Sequence, residues 1–316
     1  MFKNNSNELY HFEHLLKTQN GQKKWFRWNV SYLDAEHLIG IGMDITEKKL
    51  KEKEIETKNL QLAEQHKEIT DSIRYAKRIQ NNILQSPEYI NTIFPRHFVL
   101  YKPKDIVSGD FYFFHEDDLH KYVIAVDCTG HGVPGALMSM IANSIIKEVL
   151  LNKKVRSASE ALYQLDKELY ASINSYGHEP SVDGMDAAVA LIHKKTGRMH
   201  YSGAFRSALI VRNKSIIELK ANKYPLGFYS DVNKVFEEQV LLLQEEDELF
   251  LYSDGYADQF GGEHNKKFNK RNFKDLLHAV AQMPIGEQQG FLEYSINNWK
   301  QQTEQTDDIL VLGIKF

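Results

Sequence analysis

Asp127-Cys128-Thr129-Gly130-His131-Gly132-Val133-Pro134-Gly135-Ala136 is the stretch whose reading decides the fold. It follows the apolar run Val123-Ile124-Ala125-Val126, so a buried strand ends on a carboxylate, and a glycine-rich loop then leads into a helix. The arrangement recurs along the chain. Val107-Ser108-Gly109-Asp110 precedes the aromatic strand Phe111-Tyr112-Phe113-Phe114, and Leu249-Phe250-Leu251-Tyr252-Ser253-Asp254-Gly255 closes an apolar strand in the same way. Thr306-Asp307-Asp308-Ile309-Leu310-Val311-Leu312 reverses it. An isolated Asp-Gly at a strand end is ordinarily a turn. Carboxylates at several buried strand termini are costly unless paired or ligated, so together they read as a hard-cation site. Oxygen-only ligands suit Mg²⁺ or Mn²⁺ rather than zinc.

Outward from these motifs, the pattern predicts strands over 122–127, 187–193, 198–202, 208–212, 235–243, 248–253 and 308–314. Helices are predicted over 135–151, 158–174, 272–282 and 286–301. The regular βαβ rhythm of a parallel sheet is absent, and many antiparallel strands with a few paired helices imply two sheets flanked by helical layers, an α+β fold. Upstream, residues 47–86 hold no Gly or Pro, and Ile55, Asn59, Leu62, His66, Ile69, Ile73, Ala76, Gln80 and Ile83 recur at heptad spacing. This predicts a helical stalk pairing as a parallel homodimer, its seam interrupted at Asn59, His66 and Gln80. A single amphipathic helix lying on its own domain is the alternative. Pro87 is expected to close the helix. Residues 8–46 alternate as short strands, with Asn20-Gly21 as a hairpin turn. The expected domains are therefore a small β unit over 1–46, a linker over 47–86 and a main domain over 87–316.

The 316 residues carry 39 Lys+Arg against 43 Asp+Glu, a formal charge of -4, so no global charge attracts nucleic acid or an anionic membrane. That balance disfavours a metal-dependent nuclease, which could use similar carboxylates. The single cysteine, Cys128, excludes an internal disulfide and fits a reducing compartment. No run of about eighteen apolar residues suggests membrane insertion, and the first ten residues are polar, so the expected location is cytoplasmic.

The ordered words Val107-Ser108-Gly109-Asp110-Phe111, Asp127 to Ala136, Tyr252-Ser253-Asp254-Gly255 and Thr306-Asp307-Asp308-Ile309 resemble the motifs of the protein phosphatase 2C (PPM) family, in its SpoIIE-like bacterial branch. The similarity runs from about residue 75 to 316. It implies an αββα sandwich with two Mn²⁺ or Mg²⁺ ions between the sheets, and hydrolysis of phosphoserine or phosphothreonine on a protein. The resemblance makes Asp127 the bridging ligand, with the Cys128 carbonyl nearby. Asp110 and Asp254 would each hold one metal and Asp307 would complete the site, with Asp308 its rival. A water activated by the metals would attack phosphorus in line, without a phosphoenzyme. The branch implies a phosphorylated STAS-type anti-sigma antagonist as substrate. The words Asn20 to Trp25 and Gly42 to Glu47 resemble the last strands of a PAS sensor and its exit helix, so the β unit is expected to be a PAS remnant without cofactor.

Around the motifs, His131 is a candidate general acid, or else a brace of its loop. Lys102 and Lys104 are candidates for gripping substrate phosphate, against the alternative of solvated surface charges. Asp183 or Asp186 could serve a third metal or support the ligands. No arginine matches the phosphate-binding one of larger family members. A catalytically weak adaptor that binds a partner through the dimeric stalk is the competing reading.

Overall fold

In the computed structural model, residues 9–33, 37–153, 155–174, 183–228 and 233–316 are described. The chain forms two compact units, Met1–Ser72 and Ile73–Phe316. In the first, strands β1 (Tyr10–Lys17), β2 (Lys23–Tyr32) and β3 (Leu38–Asp44) make an antiparallel meander in the order β1-β2-β3. Lys17 pairs with Lys23 across the turn, where Gly21 takes φ +82°. The long helix α1 (Thr46–Ile83) begins in this unit and ends in the second.

The second unit owes its layering to strands that are apolar on both faces. In β5 (Phe111–Glu116), Phe111 and Phe113 turn to one core layer while Tyr112 and Phe114 turn to another. The same alternation runs through β6 (His120–Cys128), where Tyr122, Ile124 and Val126 oppose Val123 and Ala125, and through β7 (Met185–His193). With period 2, a strand buried on both faces must be flanked by a layer on each side. Strand β8 (Arg198–Ala204) and β11 (Gln239–Leu242) complete this sheet in the order β11-β8-β7-β6-β5. The facing sheet is β10-β9-β12-β15-β4, built from β4 (His97–Lys102), β9 (Ala208–Arg212), β10 (Ser215–Leu219), β12 (Glu248–Tyr252) and β15 (Ile309–Lys315). Strands β13 (Phe260–Gly261) and β14 (Lys266–Lys267) form a separate small hairpin.

Helices α3 (Gly132–Lys147) and α4 (Ala158–Ile173) cover the outer face of the first sheet. Helices α6 (Lys270–Val280) and α7 (Ile285–Lys300) cover the second, through Phe273, Leu277, Leu292 and Ile296. Between the sheets lie Met199, Tyr201, Ile210, Leu249, Leu251, Leu310 and Leu312. The result is the expected αββα sandwich. By length and composition Gly132–Asn152 could cross a membrane, yet its residues Ala142, Ile146 and Val149 are wholly buried in the sandwich core, which explains its apolarity.

Several elements differ from expectation. Helix α3 begins at Gly132 rather than Gly135, and a π-helical turn, Glu148–Asn152, extends it. The strand expected over 235–243 narrows to Gln239–Leu242, the only part that pairs with β8. Pro87 does not close the stalk helix. It opens α2 (Pro87–Ile93), whose N-cap Ser86 accepts a bond from the Tyr89 N–H, because a first-turn proline lacks only a donor that would be orphaned anyway. The stalk seam divides. Ile55, Leu62 and Ile69 are exposed, whereas Ile73, Ala76 and Ile83 are partly covered and Gln80 is buried inside the second unit. Gln80 therefore does not interrupt a dimer seam. Its Nε2 donates to the Ser108 carbonyl at 2.6 Å and Ser139 Oγ at 2.9 Å, and its Oε1 accepts from the Ser108 N–H at 3.2 Å.

Candidate active site

Antiparallel register collects the aspartates at one end of the sandwich. Phe111 pairs with Val126, so Asp110 and Asp127 flank the same end of β5 and β6. Asp127 stands directly opposite Asp186 of β7. Across the other sheet, Tyr252 pairs with Val311, which brings Asp254, after β12, beside Asp307 and Asp308, before β15. Asp110, Asp127, Asp186, Asp254, Asp307 and Asp308 all line one cavity of about 470 Å³, with Thr129, Gly130 and His131 at its edge. Like charges facing each other across a sheet destabilise it unless a cation lies between them.

Glycines let the motifs meet. A Cβ on Gly255 would lie 1.9 Å from the Asp308 carbonyl oxygen. One on Gly135 would lie 2.3 Å from the Gly130 oxygen, and one on Gly109 2.6 Å from the same atom. Only glycine permits these backbone approaches, so each motif glycine seats its aspartate against another motif.

The neighbours Asp307 and Asp308 have different surroundings. Asp308 is buried and spends both oxygens on backbone, accepting the Lys104 N–H at 2.7 Å and the Gly109 N–H at 2.8 Å. Asp307 accepts the Asp308 N–H through Oδ1 at 2.8 Å and leaves its other oxygen for the cavity. Asp110 is buried, and its Oδ2 has no hydrogen-bond partner among the described residues. Burial, aided by the charge of Asp127, pushes the Asp110 carboxyl well above its usual range. Burial likewise raises Asp127 to about 7 and Asp186 to about 6, in both cases against the pull of Arg206. Asp307 is raised by burial as well. Such crowding leaves more carboxylates than the one guanidinium among them can balance, the condition a divalent cation relieves.

Arg206, which belongs to none of the sequence motifs, sits among these carboxylates. Its Nη2 donates to Asp127 at 2.8 Å and Asp186 at 2.9 Å, and its Nη1 to Asp254 at 2.8 Å. Among the described residues no three His, Cys, Asp or Glu side chains are drawn together as ready metal ligands; the guanidinium lies among the carboxylates instead. Burial opposes its charge, yet Asp127, Asp254 and Asp186 together hold it more firmly protonated than a free arginine.

The remaining candidates separate clearly. His131, at the N-cap of α3, places Nδ1 2.8 Å from Asp105 and Nε2 3.0 Å from Lys104 Nζ. An ammonium only donates, so Nε2 accepts and Nδ1 carries the proton. Lys102 pairs with Glu293 at 2.6 Å and does not line the cavity. Cys128 is buried, and burial pushes its thiol well up, so it offers no thiolate. Asp186 lines the cavity, whereas Asp183 lies 3.4 Å from Thr129 Oγ1 and does not.

Two facing antiparallel sheets between helical layers, with a carboxylate cavity at one end, define a fold of the PP2C type. The family described as Stage II sporulation protein E (SpoIIE) matches residues 118–316. The chain belongs to the SpoIIE family. The SiaA-PP2C domain of Pseudomonas aeruginosa is 30% identical and superposes with a TM-score of 0.72, covering 79% of this chain and 98% of that domain. The PP2C phosphatase domain of SpoIIE from Bacillus subtilis, solved with a fragment of its regulatory domain, shares the fold at 15% identity and a TM-score of 0.55, over 69% of this chain and 62% of that one. Phosphoserine phosphatase RsbP of Bacillus subtilis (strain 168) is 23% identical over 239 residues, which is 75% of this chain. The chain spans 55% of the length of RsbP.

Proposed function

We propose that this chain is a divalent-cation-dependent protein phosphatase acting on phosphoserine or phosphothreonine. The observation that carries the reading is the carboxylate cavity at the end of a PP2C-type sandwich, lined by six aspartates, three of which bond one guanidinium. Oxygen donors and the orphaned Asp110 Oδ2 fit Mn²⁺ or Mg²⁺, in the expected number of two. Asp110, Asp127, Asp254 and Asp307 would hold them, with Asp127 shared and the Cys128 carbonyl beside it. Bound there, the ions supply Lewis acidity to water and neutralise phosphoryl oxygens.

The chain's own groups do the rest. Asp308 ties the Lys104–Gly109 backbone to β15 and so fixes the loop that carries Asp110. Lys104 does not itself line the cavity, but its ammonium donates to His131, which does; in this reading the ammonium–imidazole pair meets an entering phosphate and supplies the proton that a departing alkoxide needs. Regulation enters through α1, since Gln80 bonds both faces of the Ser108 peptide and Ser108 Oγ accepts the Asp110 N–H at 3.0 Å. In this reading the exposed seam of Ile55, Leu62 and Ile69 pairs two copies, and the N-terminal strands are a PAS-type input remnant. In this reading the substrate is a cytoplasmic phosphoprotein of the STAS type; the name of RsbP, a phosphoserine phosphatase, supports the phosphoserine part alone.

Arg206 favours a second reading, a catalytically weak adaptor whose carboxylates are already neutralised. The full chain with Mn²⁺, given a phosphoserine peptide and a labelled oligonucleotide, separates these readings. Release of phosphate from the peptide alone is expected. Peptide left intact favours the adaptor, and a cleaved oligonucleotide indicates a nuclease.

A further inference from the structure

Arg206 reaches the carboxylates from a turn that is locked and strained. It joins β8 to β9, and Phe205 within it takes φ +54°, an outlier for a bulky side chain. The Arg206 N–H donates to the Ala204 carbonyl at 2.7 Å, and the Tyr201 hydroxyl donates to the Arg206 carbonyl. A Cβ on Gly203 would lie 2.1 Å from that carbonyl oxygen, so the sequence before the turn is also shaped to fit it. Strain of this kind costs about 1–3 kcal/mol and persists only where its surroundings over-determine it. Here it aims a guanidinium, 13% exposed, at aspartates from three separate strand ends. Its Nε is buried without a partner among the described residues, so the side chain is committed to these carboxylates although one donor stays unused.

Asp127 and Asp254 are the same groups that the proposed function gives to divalent cations, and the present inference rests on that reading. Their Oδ2 atoms are at hydrogen-bond distance from Arg206, so a divalent cation drawn to these carboxylates meets a positive charge already seated among them. We propose that Arg206 is an exchangeable counter-cation, which holds Asp127, Asp186 and Asp254 together and competes with divalent ions for them. The competition sets the metal affinity of the site. Asp186, opposite Asp127 in the sheet, is the partner that keeps the guanidinium when Asp127 and Asp254 are taken. Arg206 is thus a positioning residue whose effect is read in metal binding.

The test titrates Mn²⁺ calorimetrically into chelator-treated full chain, for wild type, Arg206→Met and Arg206→Lys, and follows urea unfolding of each without metal. Met keeps the length and apolar stem of arginine while removing its charge. Arg206→Met should bind Mn²⁺ about tenfold tighter or more, within the usual range of coupling between sites, and should unfold at lower urea without metal. Arg206→Lys, which keeps a charge but cannot span three carboxylates, should fall between. Unchanged or weaker Mn²⁺ binding by Arg206→Met overturns the proposal, as does absence of Mn²⁺ binding in both wild type and that variant. Should Arg206→Met fail to fold, Arg206→Lys decides: it must bind Mn²⁺ more tightly than wild type, or the proposal fails. Neither readout needs turnover, so an inactive wild type whose Mn²⁺ affinity still responds would sink the phosphatase reading and leave this inference standing.

Discussion

Exchanging each of the adjacent aspartates before β15 for asparagine separates two jobs that the sequence leaves joined. Asp308→Asn removes the charge from a buried carboxylate that accepts the Lys104 and Gly109 N–H groups at 2.7 and 2.8 Å. Asparagine can offer its oxygen to only one of them, and its NH₂ then faces the other donor. A hydrogen bond to a charged acceptor contributes about 1.5–3 kcal/mol, so one bond lost and one weakened should cost about 3 kcal/mol. Asp307→Asn keeps the oxygen that accepts the Asp308 N–H and should cost below about 1 kcal/mol. The metal-free proteins are unfolded in urea, and the same preparations are titrated with Mn²⁺. Asp308→Asn should lower the unfolding midpoint strongly, while Asp307→Asn should leave it near wild type and weaken Mn²⁺ binding about tenfold or more, as loss of a charged ligand does. The reverse assignment, normal stability for Asp308→Asn with Mn²⁺ binding abolished, would refute the division of roles.

Gln80→Leu should destabilise the catalytic unit by about 2–4 kcal/mol, since it strands the buried Ser108 peptide groups, and should weaken Mn²⁺ binding through Asp110; urea unfolding and titration calorimetry measure both. Gly255→Ala forces a methyl to within 1.9 Å of the Asp308 oxygen, and a loss of about 3 kcal/mol is expected in the same unfolding assay. Glu248, buried with one oxygen unpartnered among the described residues, has its carboxyl raised to about 7 by burial. The folded state therefore holds its proton up to a higher pH than the unfolded chain. Its favourable contribution is full below the unfolded carboxyl value and fades as pH rises through 7. Glu248→Gln should gain about 3 kcal/mol over wild type at pH 8 and nothing at pH 4, seen as a flatter profile of unfolding midpoint against pH.

The fold was legible because β5, β6, β12 and β15 are apolar on both faces and each has an aspartate at one terminus, a pattern that only a two-sided burial with a polar terminus explains. Register was not legible. Asp307 and Asp308 point to different partners because backbone direction alternates entering β15, and no local signal says which one faces the cavity. Gln80 fell on heptad spacing, and periodicity shows that a stripe is covered without showing by what. Arg206 lies in no motif and is distant in sequence from Asp127 and Asp254. The Gly203-Ala204-Phe205-Arg206 turn between two apolar strands was its only trace, and the positive φ of Phe205 has no signature in residue type. Lys102 and Lys104 look equivalent in sequence, but Lys102 is the last residue of β4 and pairs with Glu293, whereas Lys104 lies in the loop beyond the strand and reaches His131.

The central claim is that the aspartate cavity is a divalent-cation phosphatase site. Mn²⁺-dependent hydrolysis of an aryl phosphate, compared between wild type and Asp127→Asn at matched folding, tests it most directly. Wild-type turnover should be abolished by a chelator and lowered about a hundredfold or more by Asp127→Asn, since that aspartate is the ligand both ions would share. Equal, metal-independent turnover in both proteins would contradict the claim.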